Sequence, residues 1–139
     1  MKYYHFTSKR HWQEIQQSGV LKTTCSNLLP PDLETFKIVD GKARDKNWDY
    51  RQVVWLTNQI KSNPTELGLN GVAESKTAVR ITIDSNIVKN IKRWKHFADE
   101  ANMDDAWRKK LESCGKASTW FVVENEIPLE CISEVDILE

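Results

Sequence analysis

Short apolar segments with the two-residue period of β-strands constrain the fold of this chain more than any other feature of its sequence. Residues 51–57 are rich in β-branched and aromatic side chains, and residues 77–83 alternate strictly between apolar and polar. A third such segment covers residues 119–123. Helical and irregular stretches separate these segments in no regular order. This arrangement predicts an α+β domain rather than a doubly wound parallel sheet.

The start of the chain predicts a strand and a helix in direct succession. Residues 2–6 carry three aromatic side chains and are predicted as a strand, and residues 9–18 are predicted as a helix. Thr7 and Ser8, between them, are residue types that cap helix N-termini. Gly19 tolerates the left-handed backbone that ends a helix, and a short extended segment is expected after it.

Two irregular stretches and two further helices complete the prediction. Residues 22–50 and 58–75 contain proline, glycine and asparagine turn signals and are predicted as loops. A second helix is predicted to carry three apolar residues, Ile91, Trp94 and Phe97. A third is predicted to begin near Asp104 and to end at Gly115. Residues 132–138 predict a closing strand.

Length and composition favour one cytoplasmic domain that spans residues 1–139. The 20 acidic and 20 basic side chains cancel, so net charge offers no general attraction to nucleic acid or membranes. No apolar run approaches the ~20 residues of a membrane span, and the N-terminus lacks the apolar stretch of a signal peptide. Cys25, Cys114 and Cys131 lie far apart in sequence and share no metal-ligand spacing with the three histidines. The sequence therefore predicts a reducing compartment, no membrane partner and no metal site.

The segment His5-Phe6-Thr7-Ser8 is the first candidate for chemistry, because it lies in a strand-to-helix turn. A histidine ring nitrogen there can meet a ribose hydroxyl, and Thr7, Ser8 and the first helical N–H groups can donate to an amide or a phosphate. The alternative is purely structural: Thr7 or Ser8 caps the helix and His5 is a half-buried strand residue.

Family resemblance adds to this local pattern. Tyr4-His5-Phe6-Thr7-Ser8 resembles the opening of the ADP-ribosyltransferase superfamily, in which a strand ends in His-x-Thr or His-x-Ser and leads into a helix. The DNA-targeting ADP-ribosyltransferase toxins and the RNA 2′-phosphotransferases open similarly. Further positions also resemble that family: Trp12, Ile15, Gly19, Leu21, residues 53–57, residues 79–83 and residues 120–135.

The resemblance implies a split sheet, mixed or antiparallel, with flanking helices, and NAD as substrate or ligand. It places His5 at the adenosine-side ribose and Thr7 at the nicotinamide end, while Ser8 beside them stays a cofactor-binding candidate from its local chemistry. It places Trp55 in a stacking position near nicotinamide and Thr57 at the serine or threonine position that follows.

A catalytic carboxylate is missing from the expected place. Transferases of this family usually carry a glutamate on the strand that corresponds to the one at Trp120, where it stabilises the cationic transition state. Residues 117–120 contain no acid here. Glu124 and Glu66 are the candidates to replace it, while Glu126 and Glu74 are weaker ones. Without such a carboxylate a large electrostatic contribution to transfer is absent.

Arginine and lysine residues offer further candidates. Arg80 interrupts an apolar strand and can either hold a phosphate in a cleft or point to solvent from a wetted sheet face. A basic stretch interleaved with Trp94 and Trp107 resembles single-strand nucleic-acid binders. Its spacing favours an ordinary solvated face: Lys89, Lys92, Arg93, Lys95, Arg108, Lys109 and Lys110.

Two classes of function follow from these observations. The first is a nucleotide-cleft protein that uses or binds NAD or an ADP-ribose-like ligand and transfers ADP-ribose to a protein or nucleic acid. The second is a non-catalytic nucleotide-binding or interaction protein on the same fold, as would suit a phage or defence setting. RNA 2′-phosphate transfer ranks below both because few arginines are available to gather around a phosphate: Arg10, Arg44, Arg51 and Arg80.

Overall fold

A computed structural model describes residues 1–24, 51–61, 63 and 75–139. Most of the two predicted loops, with the candidate acids Glu66 and Glu74, lies outside these residues. Everything stated below concerns the described part of the chain.

Six strands form one sheet in which all neighbours are antiparallel. Its strands are β1 (Lys2–Thr7), β3 (Val54–Thr57), β4 (Val79–Asp84), β5 (Lys92–Arg93), β6 (Trp120–Val123) and β8 (Ile132–Ile137). Their order across the sheet is β5-β6-β3-β1-β4-β8. A separate two-stranded sheet joins β2 (Val20–Leu21) to β7 (Ile127–Pro128). The predicted α+β class is confirmed.

Three helices flank the large sheet: α1 (Lys9–Ser18), α2 (Trp94–Glu100) and α3 (Asp105–Glu112). Ser8 caps α1 by accepting a hydrogen bond from the His11 N–H, and Gly19 ends it with a φ of 79°. Asp104 caps α3 by accepting from the Trp107 N–H. None of these helices is long and apolar enough to cross a membrane.

The two faces of the sheet bury different apolar clusters. On one face, Ile15 of α1 packs among strand residues that include Leu56, Ile81 and Phe121. On the other face, α2 and α3 pack against residues from β3 and β6 and form a second cluster, which includes Trp94, Phe97, Trp107, Leu111, Trp120 and Val122. Successive residues on a strand therefore contribute to different cores.

Pairing across the sheet is weakest at its centre. β1 pairs with β4 at six residue couples, and β3 pairs with β6 at four. Between β1 and β3 the register contains a single couple, Tyr4 opposite Thr57. The two halves of the sheet therefore meet through a short contact, and β1 continues beyond it without pairing to β3.

Three local predictions differ from the structure. The helix predicted to end at Gly115 ends at Glu112, with Ser113 as its right-handed C-cap. Ile91 was expected on a helix, but it precedes β5 and packs against the first cluster, because Lys92 and Arg93 pair with β6. The pairing of β7 with β2 was not predicted, since two residues that include Pro128 give no strand period.

Replacing Trp94 tests the second cluster. Trp94 is fully buried and its indole N–H donates to Glu112 Oε1 at 2.9 Å. We expect Trp94→Ala to lower the free energy of unfolding by about 3–5 kcal/mol, because it leaves a cavity and removes the hydrogen bond to Glu112. Urea denaturation measures the change. Lys95→Ala, an exposed position of the same helix, serves as the control, and an equally small effect at both positions would contradict this packing.

Candidate functional site

His5 lies where β1 and β3 stop pairing. It follows Tyr4, the one β1 residue in register with β3, and its side chain is half-buried. Its Nδ1 atom is 2.7 Å from the main-chain oxygen of Trp55. A side chain thus bridges the two strands at the place where main-chain pairing ends.

This contact determines which His5 nitrogen is available. A carbonyl oxygen only accepts, so Nδ1 must carry the proton, and in the neutral ring Nε2 is then an acceptor. Burial lowers the pKa of His5 from its ordinary value of 6.5; the hydrogen bond to Trp55 opposes this shift, and the charge of His11 adds to it. The ring is therefore neutral at physiological pH. No described residue hydrogen-bonds to Nε2, so the site offers one acceptor of fixed orientation.

Thr7 and Ser8 occupy the turn as predicted but differ in what they do. The Ser8 hydroxyl is 3.1 Å from the His11 N–H and caps α1, which confirms the structural alternative for that residue. Thr7 ends β1 opposite Val79 and is only 5% exposed. Its proposed place at the nicotinamide end stays a prediction.

The remaining predicted ligand residues lie on the other face of the sheet. Thr57 is in register with Tyr4 and Arg80 with Phe6, so strand alternation places Thr57 and Arg80 opposite to His5. Trp55 packs in the second cluster, with its ring 5.0 Å from that of Trp94. The six predicted ligand residues are therefore divided between two faces.

Local partners engage two of these side chains. The Thr57 hydroxyl accepts a hydrogen bond from the Gln59 N–H at 3.1 Å. Arg80 forms an ion pair with Asp136 at 3.0 Å, and it also donates to the Ile60 carbonyl at 3.0 Å. Its Nε is buried without a partner. Arg80 is thus neither free in solvent nor aimed at His5.

Glu124, the described candidate for the missing acid, lies in an ion-pair network beside α2. Its two oxygens accept from Arg51 at 3.1 Å and from Lys92 at 2.8 Å. Lys92 also reaches Glu100 at 2.8 Å, and hydrogen bonds to Glu100 and Glu124 raise the pKa of Lys92. The same bond from Lys92 is the main cause that lowers the pKa of Glu100. A carboxylate held by two cations is poorly placed to stabilise a further positive charge.

The basic residues before and along α2 and α3 are mostly exposed, as their spacing predicted, and Lys92 is half-buried in the ion-pair network. Trp94 is fully buried and Trp107 is nearly so, so neither ring is available to stack on a base. Arg108 pairs with Asp99 and Glu112.

Sequence reasoning missed one contact beside the site. Lys76 Nζ lies 3.0 Å from His11 Nδ1, near the start of α1. The two residues are 65 positions apart in sequence, so no local pattern signals that they meet.

Comparison with known proteins identifies no relative of this chain. No family model, no curated protein and no solved structure matches this chain.

The lowered pKa of His5 predicts a pH dependence of stability. The unfolded chain binds a proton near pH 6.5 while the folded protein still excludes it, so this contribution to stability is lost as pH falls below 6.5. His5→Asn keeps an N–H near the Trp55 carbonyl but does not titrate. We therefore expect the variant to lose less stability than the wild type between about pH 7.5 and about pH 5.5.

Urea denaturation at several pH values measures this difference, and His96→Asn, at an exposed histidine, is the control. Identical pH profiles of wild type and His5→Asn would show that His5 is not held neutral.

Proposed function

We propose that this chain binds NAD or an ADP-ribose-like nucleotide at the break between β1 and β3. The observation that carries the proposal is the geometry of His5, a neutral ring whose Nδ1 is fixed on Trp55 and whose Nε2 is an oriented acceptor. An acceptor of this kind selects ligand groups that donate a hydrogen bond, and ribose hydroxyls are such groups.

The surrounding architecture supports a fold of the ADP-ribosyltransferase type. The sheet is antiparallel and its centre is joined by one residue couple, as expected of a split sheet. The strand that ends in His5-Phe6-Thr7 leads into a helix capped by Ser8 and ended by Gly19. These features agree with the resemblance in the sequence, which alone proposes the family.

The proposed site also includes Trp55, Thr57 and Arg80, which come from both halves of the sheet. A ligand that lies across the end of the paired region can contact groups from both halves of the sheet. Trp55 holds His5 through its main-chain carbonyl, whereas its ring packs against Trp94 on the other face, so only the resemblance proposes that ring for the nicotinamide end. Arg80, engaged by Asp136, is the least available of the three.

Binding without transfer is favoured by the position of Glu124. Its carboxylate is already held by Arg51 and Lys92, and residues 117–120 carry no acid. Electrostatic stabilisation of an oxocarbenium-like state needs a carboxylate at the ribose. Glu66, the other candidate, lies outside the described residues. Transfer to a protein or nucleic acid is therefore the second proposal.

RNA 2′-phosphate transfer receives no support from the three described arginines among its candidates, and Arg44 lies outside the described residues. Arg10 pairs with Glu14 on α1, Arg51 with Glu124 beside α2, and Arg80 with Asp136 on β8. Each is paired with a carboxylate in a different part of the fold, so these three do not gather around one phosphate.

Calorimetric titration with ADP-ribose and with NAD tests the proposal. We expect saturable binding of both ligands and about tenfold weaker binding by His5→Asn, because asparagine lacks an acceptor at the place of Nε2. His96→Asn, at an exposed histidine, is the matched control and should bind as the wild type does. Absence of binding, or equal affinities in all three proteins, would contradict the proposal.

Free nicotinamide, assayed in the NAD samples, separates binding from transfer. We expect none to be released. Release that Glu124→Gln abolishes would instead identify Glu124 as the catalytic acid, and release that survives this change would direct the search to Glu66.

A further inference from the structure

The strand β8 forms one outer edge of the large sheet. It pairs with β4 on one side, in unbroken register over residues 134–137, and no described segment pairs with its other side. β8 has six residues, whereas β5 at the opposite edge has two. An exposed edge of this length offers the row of main-chain groups to which a further strand can add.

The pairing with β4 determines which main-chain groups of β8 face outward. The Leu138 N–H donates to the Ala78 carbonyl at 2.7 Å. Bonding direction alternates along an antiparallel strand, so Asp136 also turns its main-chain groups toward β4. Val135 and Ile137 turn theirs away from it. Each of these two residues therefore presents one donor and one acceptor at the outer edge.

The side chains along this edge are acidic. Residues 129–139 contain four acidic side chains and no lysine or arginine. Glu134, Asp136 and Leu138 alternate onto the same face of the sheet. Glu134 and Leu138 are exposed, while Asp136 is half-exposed and pairs with Arg80 from the inner side. The edge thus carries a local negative charge within a chain whose net charge is zero.

These charges favour a basic partner over a second copy of the chain. Two copies that pair symmetrically through β8, in a register centred on Val135, place Glu134 opposite Asp136. A register centred on Asp136 places that residue opposite itself. Like charges directly opposite are destabilising, whereas basic side chains on an added strand form favourable cross-strand pairs.

We propose that the outer edge of β8 binds an extended segment of a partner protein that carries basic side chains at alternate positions. The segment pairs with the main chain of Val135 and Ile137, and its basic side chains lie on the face of Glu134 and Asp136. An apolar side chain of the segment packs beside Leu138. Main-chain bonds supply the affinity, and the charges select the partner. The strand β4 separates this edge from β1, so the inference is independent of the proposed nucleotide site.

A short fluorescent peptide that alternates lysine and valine tests this surface by anisotropy. We expect saturable binding to the wild type and about fivefold weaker binding to Glu134→Lys, because an attraction becomes a repulsion. Glu126→Lys, the same charge reversal in an exposed turn, is the control and should bind as the wild type does. No binding of the peptide, or equal affinities of the two variants, would overturn the inference.

Hydrogen exchange of single amides distinguishes strand addition from simple attraction of charges. With the peptide in excess, we expect the Val135 and Ile137 amides to exchange about tenfold more slowly. The Asp136 and Leu138 amides, which already face β4, should change by a smaller factor. Slowing that is equal at all four amides, or absent, would contradict pairing along this edge.

A proline substitution tests the outward main-chain donor. Ile137→Pro removes an N–H that faces away from β4, and the side chain it replaces is 56% exposed. We expect the variant to keep the circular dichroism of the wild type and to lose most of its affinity for the peptide. Unchanged affinity in the folded variant would overturn the inference.

Sedimentation of the protein alone tests the other occupant of the edge. We expect the wild type and Ile137→Pro to have the same sedimentation coefficient, because like charges oppose pairing of two copies through β8. A dimer that Ile137→Pro dissociates would show that a second copy binds there and would overturn the inference.

Discussion

The hydrogen bond from His5 to the Trp55 carbonyl determines how the two halves of the sheet meet. Alternate residues of β3 present their backbone groups to the side of β1. Thr57 is in register with Tyr4, and Val53 exchanges hydrogen bonds with Thr24. Trp55 lies between Val53 and Thr57, so its carbonyl falls between the two segments that pair with these residues. The His5 side chain supplies a donor to this part-buried carbonyl where β1 no longer pairs. The same bond fixes the acceptor on Nε2, so architecture and site chemistry depend on one contact.

Environment gives the three histidines of this chain different chemistry. His5 is kept neutral by burial and offers an acceptor. His11 receives a hydrogen bond from Lys76 and offers a donor, whereas His96 lies exposed beside Glu100. Carboxylates likewise differ from the transferase pattern, because cations hold Glu124. Glu124 is therefore poorly placed to stabilise a further positive charge.

Residues adjacent in sequence predicted the helices and strands, whereas the arrangement of the candidate site depends on pairing between distant segments. The cap at Ser8 and the stop at Gly19 predicted α1 with its observed bounds, because both signals lie in the sequence next to the helix. The division of the predicted ligand residues between two faces depends on the register of Tyr4 with Thr57, which no short segment encodes. Lys76 meets His11 across 65 positions for the same reason. The family resemblance singled out His5 and Thr7, whose ligand roles stay predictions, and it did not indicate the Trp55 carbonyl that orients His5.

The protonation of His5 is the most direct test of this account. Long-range proton–nitrogen NMR of the imidazole side chains, with His5→Asn to assign the signal, reports which ring nitrogen carries the proton at neutral pH. The account predicts a neutral ring with the proton on Nδ1 and a bare Nε2. A proton on Nε2, or a ring that is charged at neutral pH, would contradict both the bridge to Trp55 and the acceptor on which the proposed nucleotide site depends.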